Sequence, residues 1–164
     1  MVVSGLVIRR ITTADHAAVD RVGFAAWQSS DAFKGIDLDS DVIARTRQAF
    51  AVFPAETDAE VHVAELDGIV VGWGARDRAP DYISDLWVDP AHQGRGIGKA
   101  LIERLCERIR ADGHENVRID TQGRNTGGIR LYERCGFSIT WRGIEHSKSM
   151  GIDLEKVHLE KPLS

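Results

Sequence analysis

The residues best suited to chemistry lie in a glycine-rich segment, residues 88–101, with the sequence VDPAHQGRGIGKAL. A strand-forming run precedes this segment, and apolar residues at helical spacing follow it. The first turn of a helix offers unpaired N–H groups and the positive end of the helix dipole, and glycine lets an anion approach them. Arg95 and Lys99 add positive charge. The segment is therefore predicted to bind a phosphate group.

Two common nucleotide-binding motifs do not fit this segment. A Walker loop needs a glycine five positions before its Gly-Lys pair and a Ser or Thr after it, but Gln93 and Ala100 stand there. A dinucleotide fingerprint that starts at Gly94 needs its third glycine where Lys99 stands. The sequence thus disfavours both of these nucleotide-binding classes.

The segment is similar instead to the pyrophosphate-binding loop of the GNAT acetyltransferase superfamily. That loop has Gln or Arg, two residues, Gly, one residue, and then Gly or Ala, and Gln93, Gly96 and Gly98 match it. Residues 125–137, NTGGIRLYERCGF, resemble the second signature of the family, which has an Asn, a small residue three positions on, Leu-Tyr-Glu and Gly-Phe. The two signatures stand in the family's order.

The resemblance implies a fold and a co-substrate. The fold is of mixed α/β class, with about seven mostly antiparallel strands, a central parallel pair that splays apart, and about four helices, in one domain over residues 1–164. Acetyl-coenzyme A (acetyl-CoA) is expected to lie where strands 83–88 and 117–121 separate. The cofactor-binding residues that the resemblance implies are Leu86, Trp87, Val88, Gln93, Gly94, Arg95, Gly96, Ile97, Gly98, Lys99, Asn125, Gly128 and Tyr132.

The resemblance also suggests two groups for proton transfer. Tyr132 has the position of the family's general acid, and a phenol pKa of ~10 lies close enough to a thiol's ~8.5 for transfer to the departing sulfur. The alternative for Tyr132 is a core aromatic on a helix face. Asp85 is the candidate base that takes a proton from the amine. A water chain could act as the base in its place. Asp85 would then be a partly solvated carboxylate on a strand.

The function implied is that of an N-acetyltransferase, an acyltransferase that moves acetyl from acetyl-CoA directly to an amine. The amine could belong to a small molecule, an amino acid or a protein. Two alternatives stay open, a non-catalytic CoA-binding sensor or regulatory module and an acyltransferase that uses a longer acyl-CoA. A homodimer is compatible with the family.

Composition and residue spacing disfavour a nucleic-acid partner, a membrane location, and metal or disulfide sites. The chain has 164 residues, 25 acidic and 21 basic, and its net charge of -4 disfavours a nucleic-acid partner. No apolar run approaches the ~20 residues of a membrane span, and residues 1–10 lack the features of a signal peptide. Cys106, Cys135 and the six histidines show no metal or disulfide spacing. A cytoplasmic protein without a metal is expected.

The hydrophobic pattern predicts the order strand, two helices, three strands, helix, strand, helix, two strands. Asp67-Gly68 predicts a tight β-hairpin, and the segment 54–58 is expected to end the second helix. The last two strands are predicted at 137–141 and 157–160, with a surface loop that could overhang the site from Trp141 to Glu155. Trp27 is expected to pack in the core.

Overall fold

The computed structural model describes residues 4–77 and 80–163. Its strands form one seven-stranded sheet in the order β1-β2-β3-β4-β5-β7-β6. The strands are β1 (Leu6–Arg10), β2 (Glu60–Leu66), β3 (Ile69–Arg76), β4 (Tyr82–Val88), β5 (Asn116–Gln122), β6 (Ser138–Ser147) and β7 (Ile152–Pro162). The α-helices are α1 (His16–Gln28), α2 (Ser40–Glu56), α3 (Ile97–Ala111) and α4 (Thr126–Arg134).

The sheet opens in its middle, between β4 and β5. These two strands are parallel, whereas the other neighbouring pairs are antiparallel. They pair only through Tyr82 with Arg118 and Ile83 with Ile119. Beyond this point β4 runs on to Val88 and β5 to Gln122, and neither strand pairs with the other. The mixed α/β class and the splayed parallel pair are confirmed.

Helices cover both faces of the sheet. On one face, Val19 and Val22 of α1 pack with Val61 of β2 and Trp73 of β3, and the Trp73 indole donates a hydrogen bond to the Val19 carbonyl at 2.9 Å. On the other face, α3 buries an apolar stripe, as its spacing predicts, and α4 lies beside it over β5 and β7. The helical layers therefore flank the gap between β4 and β5.

One local prediction is wrong and two are confirmed. The predicted loop from Trp141 to Glu155 lies mostly in the β6–β7 hairpin, because the ladder to β7 orders residues whose polarity is typical of a loop. The second helix ends at Glu56, within the predicted segment 54–58, and the buried Pro54 lies in its last turn, where the backbone N–H of Thr57 bonds to the Phe53 carbonyl. The Asp67-Gly68 hairpin is confirmed, since both residues have positive φ, 51° and 84°.

Glu60, at the start of β2, is the centre of an ion-pair network that ties the sheet to α3. Its Oε1 accepts hydrogen bonds from Arg76, and its Oε2 accepts from Arg108 of α3 and contacts the buried His62 ring. Burial opposes ionisation of Glu60, but the bonds from His62, Arg108 and Arg76 hold its pKa at about 2. The side chain of Arg76 is only 7% exposed, so this guanidinium depends on its carboxylate partners.

A Glu60→Gln variant is expected to lose about 2 to 3 kcal/mol of unfolding free energy at pH 7, because it leaves the buried Arg76 with weaker partners. Since the fold depresses the pKa of Glu60 below its ordinary value of 4.5, the contribution of this carboxylate is complete above about pH 4.5. The contribution is lost as the pH falls toward 2. Urea unfolding at pH 7 and at pH 3 measures both effects, and the variant should lose less stability than the wild type on acidification.

The matched control for this prediction is Glu155→Gln. Glu155 also pairs with an arginine, Arg142, but both side chains are about half exposed. An exposed pair contributes less than ~1 kcal/mol. Equal losses in the two variants would contradict a structural role for the Glu60 network.

Candidate active site

The glycine-rich segment forms a tight turn between β4 and α3. Asp89 begins a short 3-10 turn, in which its Oδ1 accepts a hydrogen bond from the backbone N–H of Ala91 at 3.0 Å. Gly94 and Gly96 then have φ values of 77° and 84°, in the left-handed region that other residues rarely adopt. Gly96 is the N-cap of α3. Gly94 and the motif glycine Gly96 thus set the backbone that aims the first turn of α3.

Side chains fix the position of this turn. The Gln93 amide donates a hydrogen bond to the Val88 carbonyl at 3.2 Å, which joins the turn to the end of β4. A Cβ on Gly98 would lie 2.9 Å from Leu131 Cδ2, so this glycine lets α4 approach α3 closely. A Cβ on Gly94 would meet nothing within 4 Å. The turn is therefore packed on its inner side and open at Gly94.

The turn lines a cavity of about 460 Å³, here called the loop cavity. Twelve residues predicted to bind the cofactor line it, namely Leu86, Trp87, Val88, Gln93, Gly94, Gly96, Ile97, Gly98, Lys99, Asn125, Gly128 and Tyr132. Arg95 is exposed and is not among the lining residues. The lining residues without a sequence-based assignment to the site are Ala26, Ser29, Ser30, Asp31, His92, Gly127, Leu131 and Arg134.

Tyr132 lines the loop cavity with a buried side chain. The residue is 6% exposed, its ring packs edge-on against Phe137, and its hydroxyl makes no hydrogen bond to the residues that the structure describes. Burial, followed by the charges of Cys135 and Asp85, raises the pKa of Tyr132 well above its ordinary value. The phenol therefore keeps its proton at neutral pH and is available as a donor.

Asn125 is already engaged as a cap of α4. Its Oδ1 accepts a hydrogen bond from the backbone N–H of Gly128 at 3.3 Å, and its Nδ2 donates to Thr121 Oγ1 at 2.9 Å. Gly128 leaves room for this cap, since a Cβ there would overlap the Asn125 amide. Both residues therefore shape the wall of the loop cavity.

Asp31 connects the segment between α1 and α2 to the start of α4. Its Oδ2 accepts hydrogen bonds from the Gly127 backbone N–H at 2.9 Å and from Thr126 Oγ1 at 3.3 Å. Bonds from Lys34 and Gly127 lower the pKa of Asp31. This contact spans the chain from residue 31 to residue 127, so local sequence patterns gave no signal for it.

A second cavity, of about 270 Å³, opens on the face of the sheet covered by α1 and α2. It is here called the aromatic cavity, and Trp87 lines both cavities. The lining residues are Trp27, Thr46, Ala49, Phe50, Phe53, Trp73, Tyr82, Ser84, Asp85, Trp87, Asp120, Thr121, Gln122, Ser147, Ser149, Met150, Leu154 and Lys156. Trp27 is buried as predicted, and it also forms part of this wall.

Asp85 lies in the wall of the aromatic cavity. Because of a β-bulge, no residue of β3 stands opposite Ser84 in the register: Ala75 pairs with Asp85, and Arg76 pairs with Ile83. The Trp87 indole donates a hydrogen bond to Asp85 Oδ1 at 3.2 Å. Burial raises the pKa of Asp85 to about 6, against the opposing effect of that bond. Asp85 is therefore mostly ionised just above neutral pH and has a basicity suited to proton transfer.

One further group of ionisable side chains lies near the aromatic cavity. In the described part of the chain, Asp120, Glu145 and His158 place their ligand atoms within 4.8 Å of one another. His158 Nε2 contacts Glu145 Oε1, and Tyr82 donates a hydrogen bond to Asp120 at 3.1 Å. The spacing of histidines along the chain could not indicate this group, because the pairing of β5, β7 and β6 brings it together. Direct bonds within the group account for its geometry.

Comparison with known proteins agrees with this arrangement. A model of the acetyltransferase (GNAT) family matches residues 25–137. A mycothiol acetyltransferase of Beutenbergia cavernae is 42% identical over 62 residues, 38% of this chain and 21% of that protein. Glucosamine 6-phosphate N-acetyltransferase of Trypanosoma brucei brucei is 38% identical over 77 residues, 47% of this chain and 46% of that protein. The chain spans less than half the length of these two relatives.

A solved structure is similar over nearly the whole fold. Phosphinothricin acetyltransferase of Sinorhizobium meliloti, in complex with acetyl-CoA, has a TM-score of 0.67 and 19% identity, and the match covers 98% of this chain and 89% of that one. The family match extends over more than half of the sequence and includes both signature segments. This chain therefore belongs to the acetyltransferase (GNAT) family. Within its described residues, no helix is both long enough and apolar enough to span a membrane.

Proposed function

We propose that this chain is an N-acetyltransferase that moves the acetyl group of acetyl-CoA directly to an amine. The observation that carries the proposal is the position of Tyr132 in the wall of the loop cavity, where its hydroxyl makes no hydrogen bond to any residue that the structure describes. Trp87 joins that cavity to the one that holds Asp85. An acid that keeps its proton and a base that is ionised thus line two cavities that share the Trp87 side of the open part of the sheet.

The loop cavity is suited to acetyl-CoA. The left-handed glycines and the N-terminus of α3 offer backbone N–H groups to a pyrophosphate, and Lys99 adds a positive charge. The part of β4 that does not pair with β5 offers main-chain groups to the pantetheine arm. The volume of about 460 Å³ lies in the range of small-molecule sites. Asn125 and Gly128 would act by shaping the cavity wall.

The reaction needs two proton transfers and no covalent enzyme intermediate. The amine nitrogen attacks the thioester carbonyl, so a C–N bond forms and the C–S bond breaks. Asp85 accepts the proton that the amine loses, directly or through a water. Tyr132 donates its proton to the departing CoA sulfur, and both groups return to their starting states by exchange with solvent.

Thiol release from acetyl-CoA over a panel of amines tests the proposal. Free CoA and acetylated amine should form in equal amounts, and each should require both substrates. If calorimetry shows that acetyl-CoA binds while no amine is acetylated, the chain is a CoA sensor and the proposal is wrong.

A Gly94→Ala variant is expected to bind CoA about 5- to 30-fold more weakly. Alanine at a left-handed position costs roughly 1 to 2 kcal/mol, and relaxing that strain would turn the loop N–H groups away from the phosphates. Isothermal titration with CoA measures the change in Kd.

Gly113→Ala is the matched control, since Gly113 also has a positive φ, 93°, and a Cβ added there would likewise meet nothing within 4 Å. Gly113 follows the C-terminal end of α3, away from the loop cavity. The Gly113→Ala variant should lose about as much stability as Gly94→Ala but keep the wild-type affinity for CoA. Equal affinity losses in the two variants would contradict the phosphate role of the loop.

Several finer assignments belong to this proposal. They comprise a single domain over residues 1–164, a cytoplasmic location, a homodimer and catalysis without a metal. Size-exclusion chromatography with light scattering tests the dimer, and activity after exhaustive chelation tests the independence from metal.

A further inference from the structure

A cross-strand pair of polar side chains, Lys156 of β7 and Gln122 of β5, lies in the wall of the aromatic cavity. The two residues stand directly opposite each other in the antiparallel register of β5 and β7. Side chains of opposed residues lie on the same face of a sheet, with Cβ atoms roughly 5 Å apart. An ammonium group and a carboxamide are therefore neighbours in this wall.

Neither side chain has a strong partner within the described part of the chain. Lys156 is partly buried, and its ammonium group makes no hydrogen bond or ion pair with the residues that the structure describes. The Gln122 amide donates to the Met150 thioether, with Nε2 3.9 Å from Sδ, and a thioether sulfur is a weak acceptor. A partly buried charge without a partner is poorly solvated, so an anion beside Lys156 would be stabilised.

The carboxylate two residues away along β5 has other partners. Asp120 lies on the same face as Gln122, because side chains of a strand alternate with a period of two. Asp120 accepts a hydrogen bond from Tyr82 at 3.1 Å, and its Oδ2 lies 3.9 Å from His158 Nε2. Asp120 therefore leaves the positive charge of Lys156 available to a ligand.

The charges of the cavity favour a carboxylate as that ligand group. Among the described residues of the lining there is one cation, Lys156, with two carboxylates, Asp85 and Asp120, and no arginine. A phosphate dianion is typically held by arginine forks or by several donors, and the two carboxylates would repel it. A carboxylate carries one charge, which a single ammonium group balances, and Gln122 adds a neutral donor.

The dimensions of the sheet suit an amine and a carboxylate in one small molecule. Asp85, the proposed base, lies on β4, and β5 separates β4 from β7. Two strand spacings amount to roughly 10 Å. The four-carbon stem of Lys156 and the shorter stem of Asp85 take up much of this distance when they extend into the cavity. The space between the two charged groups then fits a ligand whose own charges are a few bonds apart.

Building on the proposed acetyl transfer, we infer that the acceptor is a free amino acid, whose carboxylate binds to Lys156 and Gln122 while its amine lies toward Asp85. The two charges of such a zwitterion are complementary to those of the cavity. The volume of about 270 Å³ is below the usual range for drug-sized ligands, which agrees with a single amino acid. The carboxylate is unchanged in the reaction and serves to position the amine.

Acceptors that differ only at the carboxylate test this inference. L-Leucine, L-leucinamide and 3-methylbutylamine share one side chain and carry a carboxylate, a neutral amide and a hydrogen at the same carbon. Values of kcat/KM, corrected for the free-base fraction, should favour L-leucine over each of the others by about 10- to 100-fold. The same order should hold for the methionine and phenylalanine series. Equal or better rates with the amide, which resembles a peptide amino terminus, with the simple amine or with glucosamine 6-phosphate would overturn the inference.

A pair of lysine variants locates the carboxylate. Lys156→Met keeps most of the stem and removes the charge, so the ratio of kcat/KM for L-leucine to that for 3-methylbutylamine should fall by about 10- to 100-fold. General damage to the fold would lower both values and leave their ratio unchanged. Lys161→Met is the matched control, because Lys161 is also on β7 and partly buried but lies on the opposite face and does not line the aromatic cavity. An unchanged ratio in Lys156→Met, or equal falls in both variants, would overturn the assignment.

Tryptophan fluorescence separates failure of this inference from failure of the proposed function. Three of the four tryptophans, Trp27, Trp73 and Trp87, line the aromatic cavity, so L-leucine bound there should change the emission without turnover. If L-leucine binds to the wild type more tightly than to Lys156→Met but no acceptor is acetylated, the proposed transfer is wrong and the carboxylate site stands. If simple amines are acetylated as fast as amino acids, the transfer stands and this inference is wrong. If no amino acid binds and no acceptor is acetylated, both are wrong.

Discussion

Replacing Tyr132 with phenylalanine is expected to lower kcat by about 100-fold or more, because a positioned general acid contributes roughly 10²- to 10⁴-fold. The loss has a clear physical origin, since the variant keeps the ring that packs on Phe137 and removes only the hydroxyl, which makes no hydrogen bond within the described residues. The CoA thiolate would then leave without a proton donor. Steady-state kinetics at saturating acetyl-CoA and amine measure the change.

The affinity for CoA is the internal control of this experiment. Tyr132→Phe should bind CoA nearly as well as the wild type, because the phosphate-binding turn and α3 are untouched. An unchanged kcat together with an intact affinity would rule out Tyr132 as the acid. In that case the side chain would be the core aromatic that its burial also allows.

Replacing Asp85 with asparagine is expected to lower kcat/KM by about 100-fold near pH 7.5 and to remove the acid limb of the pH profile. The pKa of Asp85 is about 6, so wild-type activity should rise with pH through 6 as the carboxylate forms. Asparagine has no proton equilibrium in this range. If the acid limb persists near pH 6 in the variant, a group other than Asp85 causes it.

Two companion measurements make the Asp85 result specific. Trp87→Phe removes the indole donor that favours the ionised carboxylate, so the pKa of Asp85 should rise and the acid limb should move to higher pH. Because the folded pKa of Asp85 is raised, its ionisation costs stability above about pH 6. Asp85→Asn should therefore unfold at the same temperature as the wild type or higher, which separates lost chemistry from a damaged fold.

Much of the fold could be predicted because the local signals agree with the global structure. The Asp67-Gly68 turn has the positive φ values that its residue types favour, and α3 buries the stripe that its spacing indicates. The predictions failed where tertiary contacts override local patterns. The polar segment after Trp141 becomes strand because it pairs with β7.

The lining of the loop cavity was predicted more fully than that of the aromatic cavity, where the sequence indicated only Asp85 and Trp87 as site residues. The motif residues around Gln93 and Tyr132 line the loop cavity, because a glycine-rich turn and its neighbouring helix are encoded over short stretches of sequence. The aromatic cavity combines α1, α2 and strands up to 129 positions apart, from Trp27 to Lys156, and no sequence window contains it. Asp31 was missed for the same reason, since its partners lie near residue 127.

The early separation of β4 from β5 has a consequence for how this domain can diverge. The proposed donor contacts there are with peptide groups, which are the same for every residue other than proline. Substitutions in the helices that cover the opposite face would therefore leave these proposed contacts unchanged. One sheet can in this way give rise to many transfer reactions, each with its own amine.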